Sequence, residues 1–276
     1  MSFSYRRTYR GPVEAVLLDW AGTTMDFGCM APAAVFVQVF ASRRVPITVD
    51  EARAPMGAHK KVHIQKISEL EAVRRRWQET HGRVPNDADV DAMFAEFVPL
   101  QLACLSEYSK LIPGTLEVVA ELRRRGIKIG STTGYTSEMM QINREDAKRQ
   151  GYVPDSTVCA SDVPMGRPYP YMCLQNAINL NVTTVVSCVK VDDTSPGVEE
   201  GLNAGMWTVG LAVSGNEVGL PLETWQALPK EEQAQKRARA YTRMQQCGAH
   251  YVVDSIADLM PCIDDIQARI RRGESP

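Results

Sequence analysis

No apolar run in the 276-residue chain approaches the roughly 20 residues that a membrane-spanning helix needs; the longest are strand-sized and interrupted. The amino-terminal stretch MSFSYRRTYRGP carries arginines but no apolar segment before Ala15. That pattern argues against a signal peptide and for a soluble, cytoplasmic protein. A basic surplus is also missing. The 31 Lys and Arg stand against 33 Asp and Glu, for a net charge of −2, so neither nucleic acid nor a membrane surface is an expected partner. There is no CxxC pair. The 7 cysteines are an odd, scattered set, which argues against a disulfide framework or a zinc site, and most are expected as small core residues. Of the 4 histidines only His59 and His63 make a close pair, and no third ligand accompanies them, so no zinc site is expected there either.

What is present is an alternation. Strand-like apolar runs recur at Ala15–Leu18, Ile127–Gly130, Thr157–Ala160, Val185–Val191, Trp207–Val213 and Tyr251–Val253, each ending at polar residues. Helical patterns lie between several of them. In TLEVVAELRRRG, Leu116, Val119 and Leu122 are expected on one face, with arginines in the last turn and Gly126 as the stop. Strands alternating with helices indicate an α/β fold with a doubly wound, Rossmann-like parallel sheet. Ligands of such sheets bind beyond the carboxyl ends of the strands, where Asp19, Thr133 and Asp193 stand.

One segment breaks the alternation. From about Met30 to Tyr108 only helical stretches appear, including PAAVFVQVFASRR, DEARAPMGAHKKVHIQKI, SELEAVRRRWQETHG and DADVDAMFAEFVPLQLACLSEY. An all-helical cap at 29–108, inserted into an α/β core made of 1–28 and 109–276, is the expected organisation. An α+β domain without a cap is the alternative. Residues 214–247 read as a polar surface loop followed by a helix.

Three strand ends carry the chemistry. After the first strand, DWAGTTMD offers Asp19 and a tight turn whose N–H groups can cradle an anion. STTG offers the hydroxyls of Thr132 and Thr133, and the N–H of Gly134 at an expected helix start. VDDT offers Asp192 and Asp193, oxygen ligands suited to a hard cation such as Mg²⁺. A carboxylate and a phosphoryl dianion repel, so attack by Asp19 needs a bridging cation and donors for the spread charge. Asp19, Asp193 and the backbone carbonyl of Ala21 are the expected metal ligands. Arg167, in MGRPYP, is a candidate cation for the phosphoryl oxygens, or else a surface loop arginine. Many phosphate-handling enzymes place a second aspartate two residues after the first, as an acid for the leaving oxygen; here that place holds Ala21.

The order DWAGTT, helical insertion, STTGYT, GRPYP and DDT…EGLNAGMWTVG resembles the haloacid dehalogenase superfamily. Within it, the segments DWAGTTMDFGCMAP, EARAPMGAHKKVHIQKI, IKIGSTTGYTSEMM and VPMGRPYPYM are most similar to the phosphonoacetaldehyde hydrolases, or phosphonatases. The resemblance implies hydrolysis of phosphonoacetaldehyde to acetaldehyde and phosphate, in 2-aminoethylphosphonate degradation, by a Mg²⁺-dependent homodimer. It also gives Ala21 a reason. Breaking a phosphorus–carbon bond would expel a carbanion, which an acid at position 21 could not usefully rescue. The family instead condenses a cap lysine with the aldehyde, so that the leaving group departs as a neutral enamine.

The family pattern PMGxxK falls on Lys60, with Lys61 as the neighbouring solvated helix lysine. An imine-forming amine must be partly unprotonated near neutrality, which requires its pKa to fall. His63, three residues on and on the same face, is by the resemblance a candidate acid/base for the imine steps, or else a packing histidine. Cys29, Met56 and Tyr135 match positions lining the family's cleft. Two departures stand out: Gly197 occupies a place where many superfamily members carry an aspartate, and Arg167 replaces the usual lysine. Val35, Val39 and Phe40 offer an apolar cap face, as partner surface or as core. An ordinary phosphomonoesterase or sugar-phosphate mutase, and a non-catalytic protein that kept the fold, are the competing readings.

Overall fold

Ala15–Leu18 is apolar at all four positions and forms the first strand, β1, buried on both faces. The structure, a computed structural model, describes residues 8–276; the first seven residues of the stretch read above for a leader lie outside the described residues. Five helices follow β1: α1 (Met30–Ser42), α2 (Val49–Arg53), α3 (Lys60–Glu69), α4 (Glu71–His81) and α5 (Asp87–Cys104). Then come α6 (Thr115–Arg124), β2 (Lys128–Thr133), α7 (Ser137–Arg149), β3 (Ser156–Cys159), α8 (Tyr171–Asn179) and β4 (Cys188–Asp192). The chain continues through α9 (Ser195–Asn203), β5 (Trp207–Leu211), α10 (Leu222–Ala227), α11 (Lys230–Gln246), β6 (Tyr251–Val253) and α12 (Leu259–Arg271).

All six strands pair in parallel in the order β3-β2-β1-β4-β5-β6. From β1 the sheet grows one way through β2 and the other way through β4. The order therefore reverses between β1 and β4, and a crevice opens beyond their carboxyl ends. Two helix starts near that crevice are fixed locally by side-chain caps. Asp26, held at φ 56°, accepts from the N–H groups of Met30 (2.9 Å) and Ala31 (3.0 Å) and so caps α1. Thr194 caps α9 through the Gly197 N–H (3.3 Å). The helices α1–α5 pack on one another through Phe36, Ile64, Trp77, Met93 and Phe97. Val35, Val39 and Phe40 belong to this same buried cluster, so they are core.

Several boundaries differ from the sequence expectation, and buried polar residues are the reason. β2 runs three residues beyond Gly130, because Ser131, Thr132 and Thr133 are buried with their hydroxyls bonded inside. β4 begins at Cys188; Val185–Ser187 instead form a single 3-10 turn closed by the Ser187 hydroxyl on the Thr184 carbonyl (2.6 Å). In α6 the buried stripe is Thr115, Val118, Val119 and Leu122, and Leu116 faces out at 40% exposure. Residues 214–247 hold two helices, α10 and α11. No helix among the described residues is long and apolar enough to cross a membrane.

Candidate active site

The carboxyl end of β1 delivers Asp19, and that of β4 delivers Asp192 and Asp193. All three are buried, and each offers an oxygen within 4.8 Å of the others. Arg167 reaches the same place from the loop before α8. It is no surface arginine: its side chain is 2% exposed. Its Nη2 donates to Asp19 (2.6 Å) and to Thr132 Oγ1 (2.8 Å), and its Nε donates to Glu200 (3.0 Å). Lys190, projecting from the middle of β4, donates to Asp192 (2.7 Å) and Thr132 Oγ1 (2.7 Å). Two cations thus face three carboxylates in a dry layer behind the crevice, each polar group held by a charged partner. Burial pushes the Asp19 carboxyl up to about 6, against the opposing pull of Arg167.

Asp193 is different. It accepts from the Asn216 N–H (2.8 Å) and the Thr23 hydroxyl (3.3 Å), and no cation among the described residues pairs with it. Burial, then the charges of Asp19 and Asp192, hold its carboxyl well above the ordinary range. A divalent cation bound by oxygens is the group that would relieve that repulsion, so the residues present fit a hard metal ion.

Across the crevice, α3 begins at Lys60. Its side chain is buried, and the Nζ lies 4.5 Å from the centroid of the Tyr135 ring and 5.8 Å from that of Phe36. Among the described residues it makes no ion pair. Desolvation pulls its pKa down to about 8, partly opposed by the Asp19 carboxylate. Lys61, one position on, points out and pairs with exposed Asp91. A cavity joins Lys60 to the strand ends. Its walls include Asp19, Ala21, Cys29, Met56, Lys60, Thr133, Gly134, Tyr135 and Arg167. The cavity volume is about 20 Å³, room for about one water, so the helical segment is closed down on the sheet. A Cβ at Gly57 would meet Thr194 Oγ1 at 2.3 Å, which shows how tightly the two sides meet.

Of the residues singled out in the sequence, His63 does not line this cavity. It is buried against Phe36, with ring centroids 3.8 Å apart, and its Nε2 is 2.8 Å from the Ala52 carbonyl. That carbonyl can only accept, so Nε2 carries the proton; Nδ1 keeps its lone pair with no partner. Desolvation and the Lys60 charge hold His63 well below its ordinary pKa, and the ring stays neutral. His59 is the residue before α3, and no third ligand joins it and His63 among the described residues. Gly134 sits in a turn, because the next helix starts later: the Thr136 hydroxyl caps α7 at the Met139 N–H (3.3 Å).

Lys190 and Glu200 are the residues the sequence reading missed. The signal was there in CVKVDD, a charge in the middle of an apolar parallel strand, where an unpaired lysine could not remain.

The model of the haloacid dehalogenase-like hydrolase family matches residues 13–205. A phosphonoacetaldehyde hydrolase of Hahella chejuensis is 49% identical over 276 residues, covering 100% of this chain and 94% of its own. One from Klebsiella pneumoniae is 49% identical over 266 residues, covering 96% and 99%. The crystal structure of a phosphonoacetaldehyde hydrolase-like protein from Oleispira antarctica superposes with a TM-score of 0.97 at 46% identity over 100% of both chains.

Proposed function

From a chain that belongs to the haloacid dehalogenase-like hydrolases, we propose the following reaction: hydrolysis of the phosphorus–carbon bond of phosphonoacetaldehyde to acetaldehyde and phosphate. One observation carries the reading. A buried lysine amine with no counterion among the described residues shares a cavity with a buried strand-end aspartate, and position 21 on the same cavity wall holds an alanine. The helical insertion 29–108 is then the cap that delivers Lys60, and the remainder is the core that delivers Asp19.

In this reading the neutral Lys60 amine attacks the aldehyde carbon, and loss of water leaves a protonated imine. An Asp19 oxygen attacks phosphorus. The phosphorus–carbon pair moves into the imine, giving an enamine and an aspartyl-phosphate. Protonation at carbon and hydrolysis of the imine release acetaldehyde, and a second water releases phosphate from Asp19. Because the enamine leaves neutral, no acid is needed at Ala21. Arg167, with Thr133 and the Gly134 N–H, receives the phosphoryl oxygens; a planar guanidinium suits that fork. Cys29, Met56 and Tyr135 keep the aldehyde end apolar, which favours the unprotonated amine. His63 does not line the cavity, so its candidacy as the acid/base of the imine steps rests on the family resemblance alone.

Asp19, Asp193 and the Ala21 carbonyl would hold Mg²⁺. When bound it supplies positive charge that lets a carboxylate approach a dianion. Asp192, already paired with Lys190, supports the site from behind. A second copy of the chain as partner, a cytoplasmic location and a place in 2-aminoethylphosphonate degradation rest on the family resemblance alone; sedimentation of the purified protein tests the first.

Borohydride trapping with phosphonoacetaldehyde, followed by peptide mass mapping, tests the mechanism. A reduced two-carbon phosphonate or ethyl adduct on Lys60, absent without substrate, is expected. Phosphate release with no adduct anywhere would remove the imine route, and efficient turnover of a broad panel of phosphate esters would point to a phosphomonoesterase.

A further inference from the structure

Arg53, the last residue of α2, lies outside the cavity walls yet is only 7% exposed. Its guanidinium finds no carboxylate partner among the described residues. Every acceptor it meets is uncharged. Nη1 donates to the Gly28 carbonyl (2.8 Å) and to Asn216 Oδ1 (3.2 Å), and Nη2 donates to the Gly219 carbonyl (3.2 Å) and to Met30 Sδ (3.2 Å). Asn216 answers with a long bond from Nδ2 to the Arg53 carbonyl (3.4 Å). The loop after β5 is shaped for this contact: Gly219 has φ +64°, and a Cβ there would come within 2.8 Å of the guanidinium carbon.

These bonds join three pieces of chain. Gly28 is in the turn leading into the helical insertion, Arg53 is on the insertion, and Asn216 and Gly219 are on the core. Asn216 is also the residue whose backbone N–H holds Asp193 (2.8 Å). Seven residues after Arg53 comes Lys60. The same guanidinium therefore anchors the segment that carries the amine and the loop that orients the carboxylate. A buried cation bonded only to neutral acceptors gains little from charge pairing, so what its placement secures is geometry, and a planar fork can bridge acceptors that a lysine cannot span.

We propose that Arg53 is a positioning residue that couples seating of the helical segment over Lys60 to the orientation of Asp193, through Asn216. The inference rests on the functional reading above for its kinetic consequence but not for its structural one.

The test uses the full-length protein with Arg53→Ala, Arg53→Lys and Asn216→Ala. Hydrogen–deuterium exchange without substrate is read at residues 54–60 and 214–219, beside kcat and KM for phosphonoacetaldehyde and a double-mutant cycle between positions 53 and 216. Arg53→Ala is expected to lose protection in both segments and about 100-fold in kcat/KM, the size that a misplacement of about 1 Å costs, with Arg53→Lys between it and the parent. The two alanine substitutions should be non-additive. Unchanged protection at 214–219 in Arg53→Ala, or additive losses in the cycle, would overturn the coupling whatever the activity. If Arg53→Ala does not fold, Arg53→Lys carries the same comparison, because it keeps the charge without the fork. If the parent protein turns over no phosphonoacetaldehyde, the functional reading fails, while the exchange result still decides the role of Arg53.

Discussion

Two lysines of this molecule are buried to nearly the same degree, and their pKa values are moved in opposite directions. Lys190, in the middle of β4, lies 2.7 Å from Asp192 and 3.8 Å from Glu200. Burial alone would push its pKa down, but those carboxylates more than offset it, and the amine is held above its ordinary value. Lys60, at the start of α3, has aromatic rings and no ion pair among the described residues, and burial prevails, taking it down to about 8. Depth does not decide whether a lysine stays charged; a counterion at contact does. The β4 end of the site is an electrostatic scaffold of paired charges. The helical end keeps an amine available to react.

Replacing each lysine by methionine should separate these roles. Lys60→Met removes the amine but leaves no charge orphaned, so cleavage of phosphonoacetaldehyde should fall on the order of 10⁴-fold or more, as when one member of a catalytic unit is lost. The fold should persist. The sign of the stability change follows from the pKa. In the folded state it is about 8 against 10.5 for the free side chain, so between those values the unfolded chain binds more protons and stability rises with pH. At neutral pH the parent carries that penalty in full, and Lys60→Met should unfold at higher denaturant by roughly 3 kcal/mol. The imine-forming rate of the parent should climb through pH 8 for the same reason. A Lys60→Met protein that is destabilised, or that retains turnover, breaks the comparison from one side.

Lys190→Met breaks it from the other. It leaves Asp192 and Glu200 buried with Arg167 as their remaining cation, and losing one partner of a buried pair costs roughly 3–5 kcal/mol. Urea unfolding of the two methionine variants side by side gives the answer, and a stabilised Lys190→Met would show that the network contributes nothing to the fold. A finer probe is Gly197→Ala. A Cβ at that position would lie 2.0 Å from the Asp192 carboxyl carbon, so the methyl and the carboxylate compete for one space. Overpacking of this kind costs about 1–3 kcal/mol. It should also disturb Asp192 enough to weaken Mg²⁺ binding, which calorimetry on the folded variant would read.

That crowding also explains what could be read from sequence. The alternation of apolar strands with helices follows from periodicity, and the sheet order placed Asp19, Thr133 and Asp193 together as parallel topology demands. Gly197 looked like a missing carboxylate because a sequence shows which residue is absent but not which neighbour fills the gap; Asp192 fills it. Strand ends were misjudged at Ser131–Thr133 and at Val185 for a related reason. Hydrophobicity reports burial of apolar groups, whereas here hydroxyls and charges are buried because each finds a partner from a distant element. Arg53 was invisible on the same ground: its acceptors lie 23, 25, 163 and 166 residues away along the chain.

The smallest effect is expected from the residue next to the reactive amine. Lys61 differs from Lys60 by one position, about 100° around the helix, and that rotation moves it from a dry wall to solvent. Its partner Asp91 is on the outside of α5, and both side chains are about half exposed, at 47% and 59%. An exposed pair of this kind contributes between nothing and about 1 kcal/mol, less in salt. Lys61→Ala should therefore leave kcat, KM and the borohydride adduct unchanged within about twofold, with a shift in unfolding that vanishes at high ionic strength. If instead Lys61→Ala lost the adduct while Lys60→Met kept it, the counterion argument would have picked the wrong lysine. The low pKa at position 60 would then be no more than the cost of packing α3 against Phe36 and Tyr135.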